Sequence, residues 1–434
     1  MREKSSRLPR FYEIPLEKRL ELIAEIAELS NEERALLSSW GNLDPKLADV
    51  MIENVIGAMS LPLAIATNFR VNDRDYLVPM VIEEPSVVAA ASHAAKLMRE
   101  GRGIISVASD PIMIGQVMLI DVDAPTLACA AVLERRGEIL SLANSTNETL
   151  LKLGGGAKDL ECRSLETRRG PAVAVHLLVD VRDAMGANTV NAMAETVAPL
   201  LEEITGGKAR LKIVSNLADR RIVRSRAVVK KEALGGEEVV DAIVDAWALA
   251  DADPYRAATH NKGIMNGVIA VALATCQDHR AIEAGAHAYA ARTGRYRPLS
   301  TWWKTRAGDL AGVLEMPVQV GTVGGAVRSH PVARIALKIL GVSGARELAE
   351  VMGAVGLAQN LAALRALVTE GIQRGHMRLH ARNLAIMAGA TPEEAEEVAR
   401  SLEGGGPVTL ERVTRALEDL RRRRSEGHSP KQKD

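Results

Sequence analysis

The chain has 434 residues, with 55 lysines and arginines against 55 aspartates and glutamates. Its 47% hydrophobic and 25% charged residues are those of a globular protein, and at about 100–200 residues per domain the length gives two or three domains. Zero net charge and 3% aromatics argue against a coat for nucleic acid or anionic membrane. Three scattered cysteines with no CxxC pair argue against a disulfide framework or a structural zinc site.

The N-terminal stretch MREKSSRLPRFYEI is charged and has no signal-peptide core. Helical spacing of apolar residues follows over 16–37, with Ser30-Asn31-Glu32-Glu33 as a turn and a new helix start. A helix is expected from Pro45 into Asn54, and Pro85 is placed to open an Ala-rich helix over 86–99. The texture then changes. Strands are expected over 115–121, 173–181 and 209–215, with helices over 134–153 and 189–204 between them. This alternation marks a compact α/β module at 110–218, inserted between two helical segments.

From Val239 to Ala291 the pattern is helical again, and a loop-rich stretch with Trp302 and Trp303 runs over 292–325. Helices are expected over 330–371, 379–388, 392–402 and 409–424, before a polar tail. The longest uncharged apolar stretches, 54–69, 263–276 and 351–364, fall short of the ~20 residues that span a bilayer. The expectation is a soluble, cytoplasmic protein without a membrane anchor. Arg421–Arg424 reads either as a nucleic-acid patch or as a basic last helical turn, and the helix dipole favours the second.

No GxGxxG follows a strand, and neither a Walker A sequence nor HExxH is present. Asp183-Ala184-Met185-Gly186-Ala187-Asn188-Thr189 leads from a strand into a helix, with Asp183 able to cap amides and small residues allowing close approach of a phosphate. In Asp253–Gly267, the residues Arg256, His260, Asn261, Lys262 and Asn266 interrupt an apolar neighbourhood. Lys262 is either a solvated helix-end lysine or one that needs an anionic partner, for which Asp278 is available. Glu83-Glu84 stands at a helix start, where carboxylates serve as caps. His376 and His380 share a helix face, and no third metal ligand accompanies them.

Taken together, these segments resemble the class II 3-hydroxy-3-methylglutaryl-coenzyme A (HMG-CoA) reductases, the soluble form of bacteria and archaea. The matching pieces are ENVIG (53–57), EEPS (83–86), DAMGANTVN (183–191), SNLAD (215–219), DPYRAATHNKGIMNG (253–267), EAGAHAYA (283–290), GTVGG (321–325), GLAQN (356–360) and EGIQRGHM (370–377). They occur in family order over nearly the whole chain.

The resemblance implies an α+β fold: a large, mainly helical domain (1–109 and 219–370) for substrate binding and dimerisation, interrupted by a small ferredoxin-like α/β dinucleotide-binding domain (110–218). A helical C-terminal flap (371–434) completes it. It implies a homodimer or a higher homo-oligomer of dimers, with ENVIG in the interface and the site between subunits. Neither nucleic acid nor membrane is an expected partner.

The family's catalytic glutamate, lysine, aspartate and flap histidine fall on Glu84, Lys262, Asp278 and His376. Arg256, Asn266, Gln359 and Asn216 fall on substrate-binding positions, and Asp183, Met185, Gly186 and Asn188 on dinucleotide-binding ones. The implied reaction interconverts HMG-CoA with mevalonate and CoA, using two hydrides from NAD(P)H. An acidic side chain before the glycine triplet Gly154–Gly156 favours NAD(H) in the family. Asn147 holds that place here, which leaves NADP(H) open, and the absence of an arginine between Gly137 and Lys158 tips the expectation weakly to NAD(H). A non-catalytic acyl-CoA-binding protein of the same fold is the alternative, and the presence of all four catalytic positions weighs against it.

Overall fold

Two β-sheets organise the chain in a computed structural model that describes residues 5–39, 43–369, 372–402 and 406–426. The larger sheet begins with a hairpin, β1 (Leu63–Val71) and β2 (Arg74–Val81). Its two-residue turn, Asn72-Asp73, has φ of 50° and 63°, the left-handed pair that matches the twist of a tight hairpin and that Asn and Asp tolerate. The Asn72 side chain continues the ladder, donating to Ser106 O (2.8 Å) and accepting from Ser106 N (2.9 Å) on β3 (Ile104–Ala108).

At Ala108 the chain leaves this sheet for β4 (Ile112–Ile120), the first strand of the smaller one. β5 (Gly156–Thr167), β6 (Gly170–Asp180) and β7 (Lys208–Val214) follow. The order β5-β6-β4-β7, antiparallel throughout, is the βαββαβ pattern of a ferredoxin-like module. The helix expected over 134–153 is broken into Arg136–Asn144 and Glu148–Lys152, preceded by Pro125–Glu134, and β5 was not anticipated. The chain returns at β8 (Ile222–Val229), which pairs antiparallel with β3, so the excursion opens and closes at one point. Ser109 clasps it: its amide donates to Ile222 O (2.8 Å) and its hydroxyl accepts from Ile222 N (2.9 Å).

β9 (Ser300–Lys304) and β10 (Leu310–Pro317) complete the large sheet in the order β2-β1-β3-β8-β10-β9. A six-stranded sheet at the centre of the mainly helical part is thus a feature that the sequence reading lacked, and two of its strands occupy the expected loop-rich stretch. Helices Val87–Glu100, Pro254–Ala274 and Ala345–Val368 pack with it into one core. Glycines allow close approach there. A Cβ at Gly267 would stand 3.0 Å from Gln359 Cβ, and one at Gly353 would stand 2.6 Å from Ser225 Oγ. The Ala345–Val368 helix is long and apolar enough to cross a membrane, but 67% of its most apolar window is buried inside the protein, as suits a core helix.

Helices Ile372–Met387, Pro392–Ser401 and Leu410–Glu426 share a separate small core around Ala385, Val398 and Val413. Arg421 grips Glu394 through two bonds of 2.9 and 2.8 Å, and Arg424 reaches Glu397 at 2.7 Å, so part of the basic turn holds helices together.

Candidate active site

Glu84 lies on the loop between β2 and the Val87–Glu100 helix, whose N-cap, Ser86, is left-handed with φ 77°. Lys262 stands in the middle of the Pro254–Ala274 helix, which opens on Asp253 accepting from the amides of Tyr255 and Arg256. Lys262 Nζ donates to Glu84 Oε2 at 2.8 Å, and Asn266, one turn further along, donates to the same oxygen at 3.5 Å. Glu83 points to solvent, so Glu84 alone of the adjacent pair meets the lysine. The Lys262 side chain is 61% exposed and that of Glu84 33%. An ion pair this wet adds at most about 1 kcal/mol of stability. Its chemical content is an ammonium and a carboxyl sharing one hydrogen bond within reach of solvent.

Asp278 is not the partner of Lys262. It is the N-cap of the His279–Ala290 helix, accepting from Ala281 N at 3.0 Å, and it pairs with Arg280 at 3.2 Å. The capping geometry of a residue directly before a helix explains why the expected pairing fails within one chain. His376 falls in the Ile372–Met387 helix, and its side chain lies outside the described residues.

Two candidate substrate residues hold polar atoms that are buried and have no hydrogen-bond partner among the described residues: Arg256 Nη1 and Gln359 Oε1. Burial alone holds the Arg256 guanidinium below its ordinary pKa, and no carboxylate among the described residues compensates it. A buried guanidinium nitrogen and a buried amide oxygen left without partners are costly in a folded protein. Asn216 presents its side chain to solvent, while its carbonyl accepts from Gln319 Nε2 at 3.1 Å.

The loop from β6 into the Ala187–Thr205 helix is pinned from the large sheet's side. Asp183 caps a different helix from the one expected, taking Ala345 N at 2.9 Å, while its carbonyl takes Thr322 N at 2.8 Å. Arg221, buried to 5% exposure, donates to Ala184 O and Met185 O at 3.2 Å each and also to Val320 O. Burial pushes its pKa down to about 10. Gly186 has φ 98°, and a Cβ there would stand 2.4 Å from Val181 Cγ1, so only glycine fits. With Gly186 as N-cap the first-turn amides have no side-chain cap, and Asn188 is exposed beside them.

Asn147 caps the Glu148–Lys152 helix, its Oδ1 accepting from Leu150 N at 2.9 Å. The glycine triplet follows, and Gly154 O receives both Lys158 Nζ (2.8 Å) and Arg182 Nη2 (2.5 Å). Arg182 comes from beyond the end of β6, so a search of the neighbouring sequence does not find it. Arg221 and Asn360 carry no role in the motif reading either, and His260 stands there only as a polar residue in an apolar neighbourhood. Only their tertiary contacts distinguish them.

The fold and the site define an α+β oxidoreductase in which a lysine–glutamate pair stands on the larger part and a ferredoxin-like module without a Rossmann loop is inserted. The family model for hydroxymethylglutaryl-coenzyme A reductase matches residues 15–381. The chain is 55% identical to 3-hydroxy-3-methylglutaryl-coenzyme A reductase of Archaeoglobus fulgidus, over 97% of this chain and 96% of that one. It is 35% identical to a probable enzyme of this name from Borreliella burgdorferi, over 85% and 84% of the two chains. Among solved structures, the class II enzyme of Streptococcus pneumoniae bound to NADPH in open conformations superposes with a TM-score of 0.80, 41% identical over 94% of this chain and all of that one. This chain belongs to the hydroxymethylglutaryl-coenzyme A reductase family.

Proposed function

We propose that the chain catalyses HMG-CoA + 2 NAD(P)H + 2 H⁺ → mevalonate + 2 NAD(P)⁺ + CoA, and the reverse. The observation that carries this reading is the Lys262–Glu84 contact of 2.8 Å, with Asn266 on the same carboxylate. Reduced nicotinamide, when bound, supplies the hydride for each of the two reductions. The Lys262 ammonium stabilises the negative charge that develops on the thioester oxygen. Glu84, hydrogen-bonded to that ammonium, takes up one of the two protons the reaction consumes and hands it to the aldehyde oxygen in the second reduction. His376 protonates the departing CoA thiolate, carried in by movement of the C-terminal helices. Asp278 completes the set by its motif, since within one chain its carboxylate caps a helix.

Arg256 and Gln359 hold the hydroxymethylglutaryl group, with Asn266 and Asn216 nearby in role. Their buried, unpartnered atoms suit a ligand that is both an anion and an alcohol. Asp183, Met185, Gly186, Asn188 and Asn147 form the dinucleotide site, where Gly186 lacks the Cβ that would crowd its loop and uncapped amides face outward. Arg182 and Lys158 beside the triplet remove the ground for preferring NAD(H), and we assign the site to either cofactor.

The working division is 1–109 with 219–370, 110–218 and 371–434. A cytoplasmic homodimer, or an oligomer of dimers, is part of the same reading. Val50, Ile52, Ile56 and Met59 stand exposed around ENVIG, an apolar run that a second copy would cover.

The direct test follows reduced-nicotinamide absorbance with HMG-CoA, using NADH and NADPH separately. Two equivalents oxidised per CoA released support the reading. No oxidation of either cofactor, in folded protein, sinks it.

A further inference from the structure

Below Arg256, on the same face of the Pro254–Ala274 helix and one turn along, His260 is buried to 2% exposure. Its surroundings fix where its proton sits. The Trp302 indole can only donate, and its Nε1 lies 2.7 Å from Asn360 Oδ1, which sets the orientation of that amide. Asn360 Nδ2 is thereby turned toward His260 Nε2, at 3.1 Å. The Ser300 hydroxyl lies 2.6 Å from the same ring nitrogen and 2.8 Å from Asn360 Oδ1, and its single proton can serve either. Nε2 is therefore an acceptor.

Burial and the neighbouring Arg256 keep the ring neutral, so its one proton is on Nδ1. That atom is buried and has no partner among the described residues. Three unsatisfied atoms thus come from two packed helices: donors at Arg256 Nη1 and His260 Nδ1, one turn apart on one, and an acceptor at Gln359 Oε1 on the other. Gln359 directly precedes the Asn360 that holds His260, and it packs on Gly267 of His260's own helix. Two donors and one acceptor complement a hydroxy-carboxylate.

We propose that His260 is a substrate-binding residue, its Nδ1–H joining Arg256 Nη1–H on the terminal carboxylate of the hydroxymethylglutaryl group. Asn360, Ser300 and Trp302 act through it as positioning residues, holding the ring in the tautomer that donates. The proposal rests on the substrate reading above and adds a residue to it.

Two substitutions separate binding from scaffolding. In His260→Gln the amide oxygen reproduces the Nε2 acceptor for Asn360, and the donor at Nδ1 is lost. In His260→Asn the amide nitrogen reproduces the Nδ1 donor, and the Nε2 contact is lost. We expect His260→Gln to raise the KM for HMG-CoA by about tenfold or more, with the KM for NAD(P)H unchanged and the melting temperature close to that of the parent. His260→Asn should keep the HMG-CoA KM within about threefold of the parent despite a lower melting temperature.

A parent-like HMG-CoA KM in His260→Gln overturns the proposal, as does an equal loss in both variants. Calorimetric titration with free 3-hydroxy-3-methylglutarate separates this from failure of the reaction reading. An inactive parent that binds the hydroxy-acid, with binding lost in His260→Gln, would overturn the reaction and retain the seat. An inactive parent that does not bind it overturns both.

Discussion

Two faces of the Pro254–Ala274 helix follow opposite rules. Toward Glu84 the helix presents Lys262, largely exposed, and Asn266, half-buried, both donating to the Glu84 carboxylate. Toward the Ala345–Val368 helix it presents His260, dry and bonded to Asn360 and Ser300, together with Gly267 against Gln359. The difference is physical. A group that gives and takes charge during turnover needs access and a partner it can exchange with. A group that only aims another gains from a low-dielectric setting in which each hydrogen bond is stronger and each lost partner is expensive.

If the first face is chemical and contributes little to folding, Lys262→Ala should break activity without breaking the fold. We expect kcat to fall by about 10³-fold, the scale of removing one group that stabilises an oxyanion. The melting temperature should change little, because the exposed pair contributes at most about 1 kcal/mol. Steady-state assay and calorimetry on one preparation check both halves. A large stability loss would mean that the pair is structural.

The second face should behave in the opposite way. Asn360 accepts from Trp302, shares the Ser300 hydroxyl with His260 and faces His260 Nε2, all at buried atoms. Asn360→Ala strands several of these groups, at a cost of about 3 kcal/mol in denaturant unfolding. Activity should fall through the KM for HMG-CoA, with kcat falling less. A loss confined to kcat would place the network on the chemical side.

The same contrast explains what the sequence reveals. Caps are local, and so the helix start expected at Ser30-Asn31-Glu32-Glu33 stands there, closed by a capping box between Ser30 and Glu33. The large sheet escaped because its strands break the alternation that marks a half-buried strand. On β3, Ile105 and Val107 face outward while Ser106 faces in, where its hydroxyl meets that of Ser225 on β8 at 2.8 Å. Apolar residues outside and serines inside erase the period of two, and β3 finds its partner β8 more than a hundred residues away. In the site, motifs named Glu84 and Lys262, and the structure brings them together across 178 positions. Arg182 and Arg221 carry no local signature, since what defines them is a carbonyl supplied by another element.

Acid sharpens the comparison further. Burial and Arg256 press the His260 pKa down to about 3, against an ordinary 6.5. The unfolded chain therefore takes a proton near pH 6.5 that the folded chain refuses. The stability tied to the neutral ring is complete above pH 6.5 and is lost as pH falls toward 3. Between pH 7 and 5 this single group accounts for up to about 2 kcal/mol. His176, lowered by burial and by Arg163, adds to the slope in the same direction. Unfolding measured across that range should fall less steeply in His260→Gln than in the parent. Parallel slopes would show that His260 takes up protons while folded.

Asp183 lies between the two rules, and its effect should be the smallest. The residue is exposed, yet its carboxylate accepts from the first amide of the most buried long helix, Ala345–Val368, at 2.9 Å. A Cβ at Gly344 would stand 2.5 Å from Asp183 Oδ1, so the approach depends on that glycine as well. Loss of a helix cap costs about 1 kcal/mol, and Asp183→Ala should lose that much. Asp183→Asn keeps an acceptor oxygen and loses only the charge, so it should lose a few tenths of a kcal/mol. Because the same loop leads into the proposed dinucleotide site, Asp183→Ala should also raise the KM for NAD(P)H more than that for HMG-CoA. Equal losses in the two variants would make the charge, rather than the cap, the thing that ties the inserted module to the large sheet.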